Sequence, residues 1–135
     1  MRIAVIALSE KKSEHLNRII QAAAGEFRIM GHSCEVMAKP STGLSGYDFL
    51  VFCSDCASMA GLKNNRLGHS LSNAGSLVGK RSMALMRTGG FFPGKKLGRF
   101  MSLLEKEGLV LTMAELVSNE AQAASLARGA PLVRG

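Results

Sequence analysis

The sequence predicts an α/β domain built on a parallel sheet with helices on both faces, and three observations point there. Residues 2–8 (RIAVIAL), 48–53 (DFLVFC) and 82–86 (SMALM) are short, almost unbroken apolar runs. That is how a strand buried on both faces reads. The segments between them switch to helical spacing, and glycine or proline punctuates the changes.

The elements follow in order. After the first run, residues 9–13 form a polar loop. Leu16, Ile19, Ile20, Ala23, Ala24, Phe27 and Met30 then recur at steps of three and four, on one helical face. Ser13 stands where an N-cap belongs and Gly31 where the helix must stop. Residues 34–38 (CEVMA) alternate, as an outer strand with one wet face does. Pro40 ends it, and 41–46 is rich in turn formers. After the run at 48–53, residues 54–65 read as loop and helix entry. Leu67, Leu71, Ala74 and Val78 space as a helical face that Gly68 and Gly75 weaken. The run at 82–86 is followed by a glycine-rich loop, 88–94 (TGGFFPG). Leu97, Phe100, Met101 and Leu104 make another helical face, closed by Gly108. Residues 109–113 are a last strand and 119–128 a final alanine-rich helix. The order β-α-β-β-α-β-α-β-α is that of a doubly wound sheet.

The chain has 135 residues, 47% hydrophobic and 20% charged, which suits one globular domain with one core. No apolar run reaches the roughly 18 residues that span a bilayer. Residues 10–12 are charged directly after the first apolar run, so the start reads as a strand and not as a signal peptide. A cytoplasmic protein without membrane contact is the expectation. Three cysteines, Cys34, Cys53 and Cys56, form no disulfide framework. Seventeen Lys and Arg against ten Asp and Glu give a charge of +7, which favours anionic partners: phosphates, nucleotides or an acidic protein. With aromatics at 5% and no basic run, the composition argues against a nucleic-acid platform.

Tyr47-Asp48 before an apolar run, Gly79-Lys80-Arg81 leading into the next strand, and Thr88-Gly89-Gly90 before a helix and a strand stand in a telling order. In that order they resemble the flavodoxin-like and NADPH-dependent FMN-reductase families over nearly the whole chain. The resemblance implies a five-stranded parallel sheet in the order 2-1-3-4-5 and a flavin mononucleotide (FMN) at the strands' carboxyl ends. It implies oxidoreductase chemistry, with NAD(P)H as the reducing substrate. Three loops would converge on the cofactor: Ser9, Lys11, Lys12 and Ser13 at the phosphate; Ser54 and Asp55 on one side of the ring; Thr88, Gly89, Gly90, Phe91 and Phe92 on the other. The basic balance fits a reductase better than an acidic electron shuttle.

Two departures stand out. The phosphate loop reads Ser9-Glu10-Lys11-Lys12-Ser13-Glu14, without the family's glycine. The helix expected between strands two and three is missing, because only residues 40–46 are available. A parallel crossover takes a dozen residues or more, so a bare sheet face is expected, covered by a second copy of the chain. The rival reading is a flavodoxin-like domain that has lost its flavin and serves as a binding or assembly subunit. A third is thiol redox through Cys53 and Cys56, spaced as in a CxxC pair.

Overall fold

The structure, a computed structural model, describes residues 1–9, 13–56, 71–72, 75–89 and 91–132. Five strands, β1 (Arg2–Ala7), β2 (Ser33–Met37), β3 (Phe49–Asp55), β4 (Arg81–Arg87) and β5 (Val110–Val117), form one parallel sheet in the order β2-β1-β3-β4-β5. Three helices lie wholly among the described residues: α1 (Glu14–Ile29), α2 (Pro93–Lys106) and α3 (Glu120–Arg128). This is the predicted doubly wound architecture.

The two faces follow from side-chain alternation along each strand. Ile3, Val5, Phe49, Val51, Met83 and Leu85 point into a core shared with α1 and α3. Ala4, Ile6, Leu50, Phe52, Ala84 and Met86 point the other way, toward Phe100 and Leu104 of α2. Phe27, Phe49, Phe52 and Phe100 are fully buried, and each ring contributes roughly 1.5–3 kcal/mol by leaving water.

α1 follows its sequence signals closely. Leu16, Ile19, Ile20, Ala23, Ala24 and Phe27 are buried, and the Ser13 Oγ accepts from the Leu16 N–H at 3.4 Å. Gly31 adopts φ +92° just past the end. Met30, expected on the inner face, is the cap and stays partly exposed. Asn119 caps α3 in the same way, accepting from the Gln122 N–H at 2.9 Å.

The missing helix after β2 is confirmed, yet the face it would cover is not bare. A single 3-10 turn, Leu44–Gly46, replaces the helix and lowers Leu44 into the cluster of Ala4, Ile6 and Leu50. Tyr47 closes the gap beside it. Its hydroxyl donates to Glu35 at 2.5 Å, and the Arg2 guanidinium lies 4.7 Å from its ring centre. The Arg2 and Asp48 backbones and the Asp48 carboxylate staple this connection to β1, at 2.8 Å each. The gap left by the missing helix is thus filled by the chain itself.

Two strands outrun their predicted ends. β3 continues through Ser54 and Asp55, which pair with Met86 and Arg87 of β4, so these two residues end a strand and do not open a loop. β5 runs on to Val117. A bulge between Ser82 and Met83 places Thr112 outside the ladder, where its hydroxyl donates to the Ser82 carbonyl at 3.0 Å. Of the helix expected over 67–78, Leu71 and Ser72 are helical, while Leu67 and Ala74 lie outside the described residues. Val78 is not on a helix: Gly75, at φ +91°, has already turned the chain, and Val78 stands exposed before β4. There it abuts Gly108, where a Cβ would come within 2.9 Å of the Val78 Cα; with φ at +85°, only glycine fits. No helix among the described residues is long and apolar enough to cross a membrane.

Candidate functional site

In an open α/β sheet, ligands bind beyond the carboxyl ends of the strands. β1 reaches that edge first. Beyond Ala7 the Leu8 N–H still bonds to Cys53 of β3, at 2.8 Å, which carries Ser9 to the rim. α1 begins five residues on, at Glu14, with its first-turn amides facing the same edge. Because Ser13 uses its oxygen as acceptor for the Leu16 N–H, its hydroxyl proton remains available to an anion. Glu14 in the first turn complements the helix dipole and competes with an incoming anion for it. Lys11 and Lys12 lie outside the described residues.

β3 and β4 supply the middle of the edge. Ser54 is fully buried, and its hydroxyl has no hydrogen-bond partner among the described residues. Asp55, 3% exposed, holds the Arg87 guanidinium at 3.1 Å. This pair fixes a cation at the end of β4 that keeps one side open to water. Cys56 follows, its N–H donating to the Arg87 carbonyl at 3.0 Å. Burial pushes the Cys56 thiol up, partly offset by the Gly89 backbone donor and by the charges of Lys96 and Arg87.

The loop after β4 is anchored by Thr88, whose N–H donates to Val117 of β5 at 2.9 Å. A Cβ on Gly89 would meet only the Arg87 side chain, at 4.0 Å, so the backbone there is open to close approach. Gly90 lies outside the described residues. Phe91 and Phe92 do not pack into the core: they are 83% and 72% exposed. Phe92 also adopts φ +54°, which no other non-glycine residue among those described does. It precedes Pro93 at the start of α2 and gives that start no side-chain cap. Lys95 places its Nζ 5.5 Å from the Phe92 ring centre. Lys95 and Lys96 stand in the first turn and Arg99 in the next.

The structure adds a feature that no motif announced. A cavity of about 480 Å³ opens at the ends of β1 and β2 beside the first turns of α1. Ala7, Leu16, Ile20, Val36, Met37 and Ala38 line its apolar part, with Ser9, Ser13, Glu14 and Asn17 at its polar side. A cavity made by strand ends of unequal length leaves no periodic trace in a sequence.

Cys53 and Cys56 do not form a redox pair. Cys53 belongs to the core on the α1 face of the sheet and Cys56 to the core on the α2 face. Burial pushes the Cys53 thiol up to about 12, far from the thiolate that exchange requires. No three metal-ligating side chains cluster among the described residues.

No protein-family model and no curated protein matches the chain. Its fold, however, is shared with solved flavodoxins. It superposes on an archaeal flavodoxin with a TM-score of 0.68 at 10% identity, covering 96% of this chain and 95% of that one. Flavodoxin 2 from Bacillus cereus gives 0.69 at 13% identity, over 94% and 95%. Megasphaera elsdenii flavodoxin gives 0.66 at 9% identity, over 95% and 99%. The chain therefore has the flavodoxin-like fold, with the strand order 2-1-3-4-5.

Proposed function

We propose that the chain binds FMN at the carboxyl edge of β1, β3 and β4 and works as an oxidoreductase supplied by NAD(P)H. The observation that carries this reading is the pair of solvent-facing rings at Phe91 and Phe92. They stand at the same sheet edge as the Ser13-capped start of α1. Exposing two phenylalanines forgoes several kcal/mol of burial, a loss that a stacked planar ring offsets.

The residues present fit the group. The Ser13 hydroxyl proton, Ser9 and the α1 amides would hold the phosphate. Gly89 allows the backbone to approach the ring, and Phe91 or Phe92 would stack on it. The Ser54 hydroxyl, fully buried and without a hydrogen-bond partner among the described residues, would bond a ring heteroatom that reached it. Bound FMN would supply hydride or single-electron transfer, and the protein would supply position and charge. Arg87, fixed by Asp55, would favour a reduced, anionic ring over a neutral one. The cationic first turns of α2 would draw the phosphates of a nicotinamide dinucleotide and suit an acidic protein as electron partner.

The test is the visible spectrum of the purified protein, then calorimetric titration with FMN. The expected result is micromolar binding that weakens in Ser13→Ala and Ser9→Ala, with the bound colour bleached by NADPH. A colourless protein that takes up no FMN would overturn the reading.

A further inference from the structure

The sheet ends in two edges, and they are built differently. β2 is five residues long, exposes Ser33 and Glu35, and hands the chain on to Lys39 and Pro40. Shortness, charge and proline are how an edge is kept from pairing with another chain. β5 has eight residues, no lysine, arginine or proline, and a single charge, Glu115. Its bulge lies before Met113, and from there to Val117 the ladder with β4 is regular. Along a parallel strand, successive residues turn their N–H and C=O to alternate sides. The Val117 carbonyl points toward β4, where it accepts from Thr88, so Ala114 and Leu116 turn theirs outward. Among the described residues no hydrogen bond from a turn or loop reaches those outward groups. Apolar side chains flank the open edge on both faces. Leu111, Ala114 and Leu116 lie on the α2 face and Met113 on the α1 and α3 face, all only partly buried.

We infer that β5 is a self-pairing edge, which joins two copies of the chain antiparallel into one continuous sheet with five strands from each. The twofold axis passes through Ala114, whose N–H and C=O bond to the C=O and N–H of the partner's Ala114. Directly opposed residues share a face of the sheet, so in this register Glu115 stands opposite the partner's Met113. Centring the axis on Glu115 would instead set two carboxylates against each other, which costs stability. A second copy is favoured over a foreign strand because the pairing is closed. Each β5 edge satisfies the other, and only the blunted β2 edges remain. The half-buried Leu111, Met113 and Leu116 leave water further as the two edges meet. Antiparallel pairing points the two carboxyl edges in opposite directions. The dimer therefore leaves both proposed flavin sites open and does not rest on the flavin reading.

Sedimentation equilibrium of the full-length protein tests the pairing, run in high salt to screen the +7 charge of each copy. A monomer–dimer equilibrium is expected between micromolar and millimolar concentration. Over the same range, hydrogen exchange at the Ala114 and Leu116 amides should slow, because these two donors are bonded only in the dimer. Ala114→Pro removes an N–H that the monomer does not use, at an edge where proline is tolerated, and should abolish the dimer. Met113→Glu and Met113→Lys each place a charge at one position, opposite the partner's Glu115. The Glu variant should dimerise about tenfold more weakly than the Lys variant, on the scale of two cross-strand charge pairs. A chain that stays monomeric at millimolar concentration would overturn the inference and leave the edge to a foreign strand. So would a dimer whose Ala114 amide exchanges as fast as in the monomer, or one that Met113→Glu and Met113→Lys affect equally.

Discussion

Two helices start at the same edge of the sheet, and they start differently. α1 has a serine N-cap, an acid in its first turn and a backbone that any residue accepts. α2 begins at a phenylalanine in the left-handed region, has no side-chain cap and carries two lysines in its first turn. Every choice at α1 lowers the free energy of the helix, and most choices at α2 raise it. The body of α2 is nonetheless as well anchored as that of α1, because Phe100 and Leu104 are fully buried. A helix whose anchor is sound and whose start is unfavourable points to selection acting on something other than stability at that start.

The comparison breaks if the bodies differ. Phe27→Ala in α1 and Phe100→Ala in α2 should each cost about 3–5 kcal/mol in urea denaturation. A cost at Phe100 well below that range would mean that all of α2 is loosely held. The two thiols extend the same contrast to pH. Cys53 ionises near 9.0 when unfolded and near 12 in the α1-side core, where burial is the main cause. The folded state thus holds its proton more tightly, and stability present below pH 9 should drain away as pH rises from 9 toward 12. Cys53→Ala should flatten that alkaline limb, read as the urea midpoint against pH.

The starts themselves should respond with opposite signs. Ser13→Ala should cost about 1 kcal/mol, whereas Phe92→Gly should gain about 1 kcal/mol by relieving the left-handed backbone. If Phe92→Gly destabilises instead, the ring is making contacts that its exposure does not suggest. The smallest effect is expected at Lys95→Glu, a gain of about 0.3–1 kcal/mol that fades in high salt. The same change should weaken binding of NADPH.

Sequence periodicity carried the α1 layer almost intact, because Leu16 to Phe27 and the caps at Ser13 and Gly31 are local signals. The sheet order followed from the resemblance. What escaped was non-local. Leu44 is one apolar residue in a turn-rich stretch, with no period to mark it as a plug. Ser54 and Asp55 look like loop residues until Met86 and Arg87 are seen to pair with them. Val78 fitted a helical spacing that Gly75 had already ended. At the site, Ser9, Ser13, Gly89, Phe91 and Phe92 were legible as loop residues between strong elements. The Arg87–Asp55 pair was not, since its partners are 32 residues apart in the chain.

The ion pair between Glu26 and Arg128 joins residues 102 positions apart, where α3 packs against α1. On a ribosome adding about 5–20 residues per second, α1 waits roughly 5–20 seconds for the helix that completes its layer. During that interval the outer flank of Ala23 and Phe27 faces the cell unshielded. The α1 layer is therefore completed only once Glu120–Arg128 has been made.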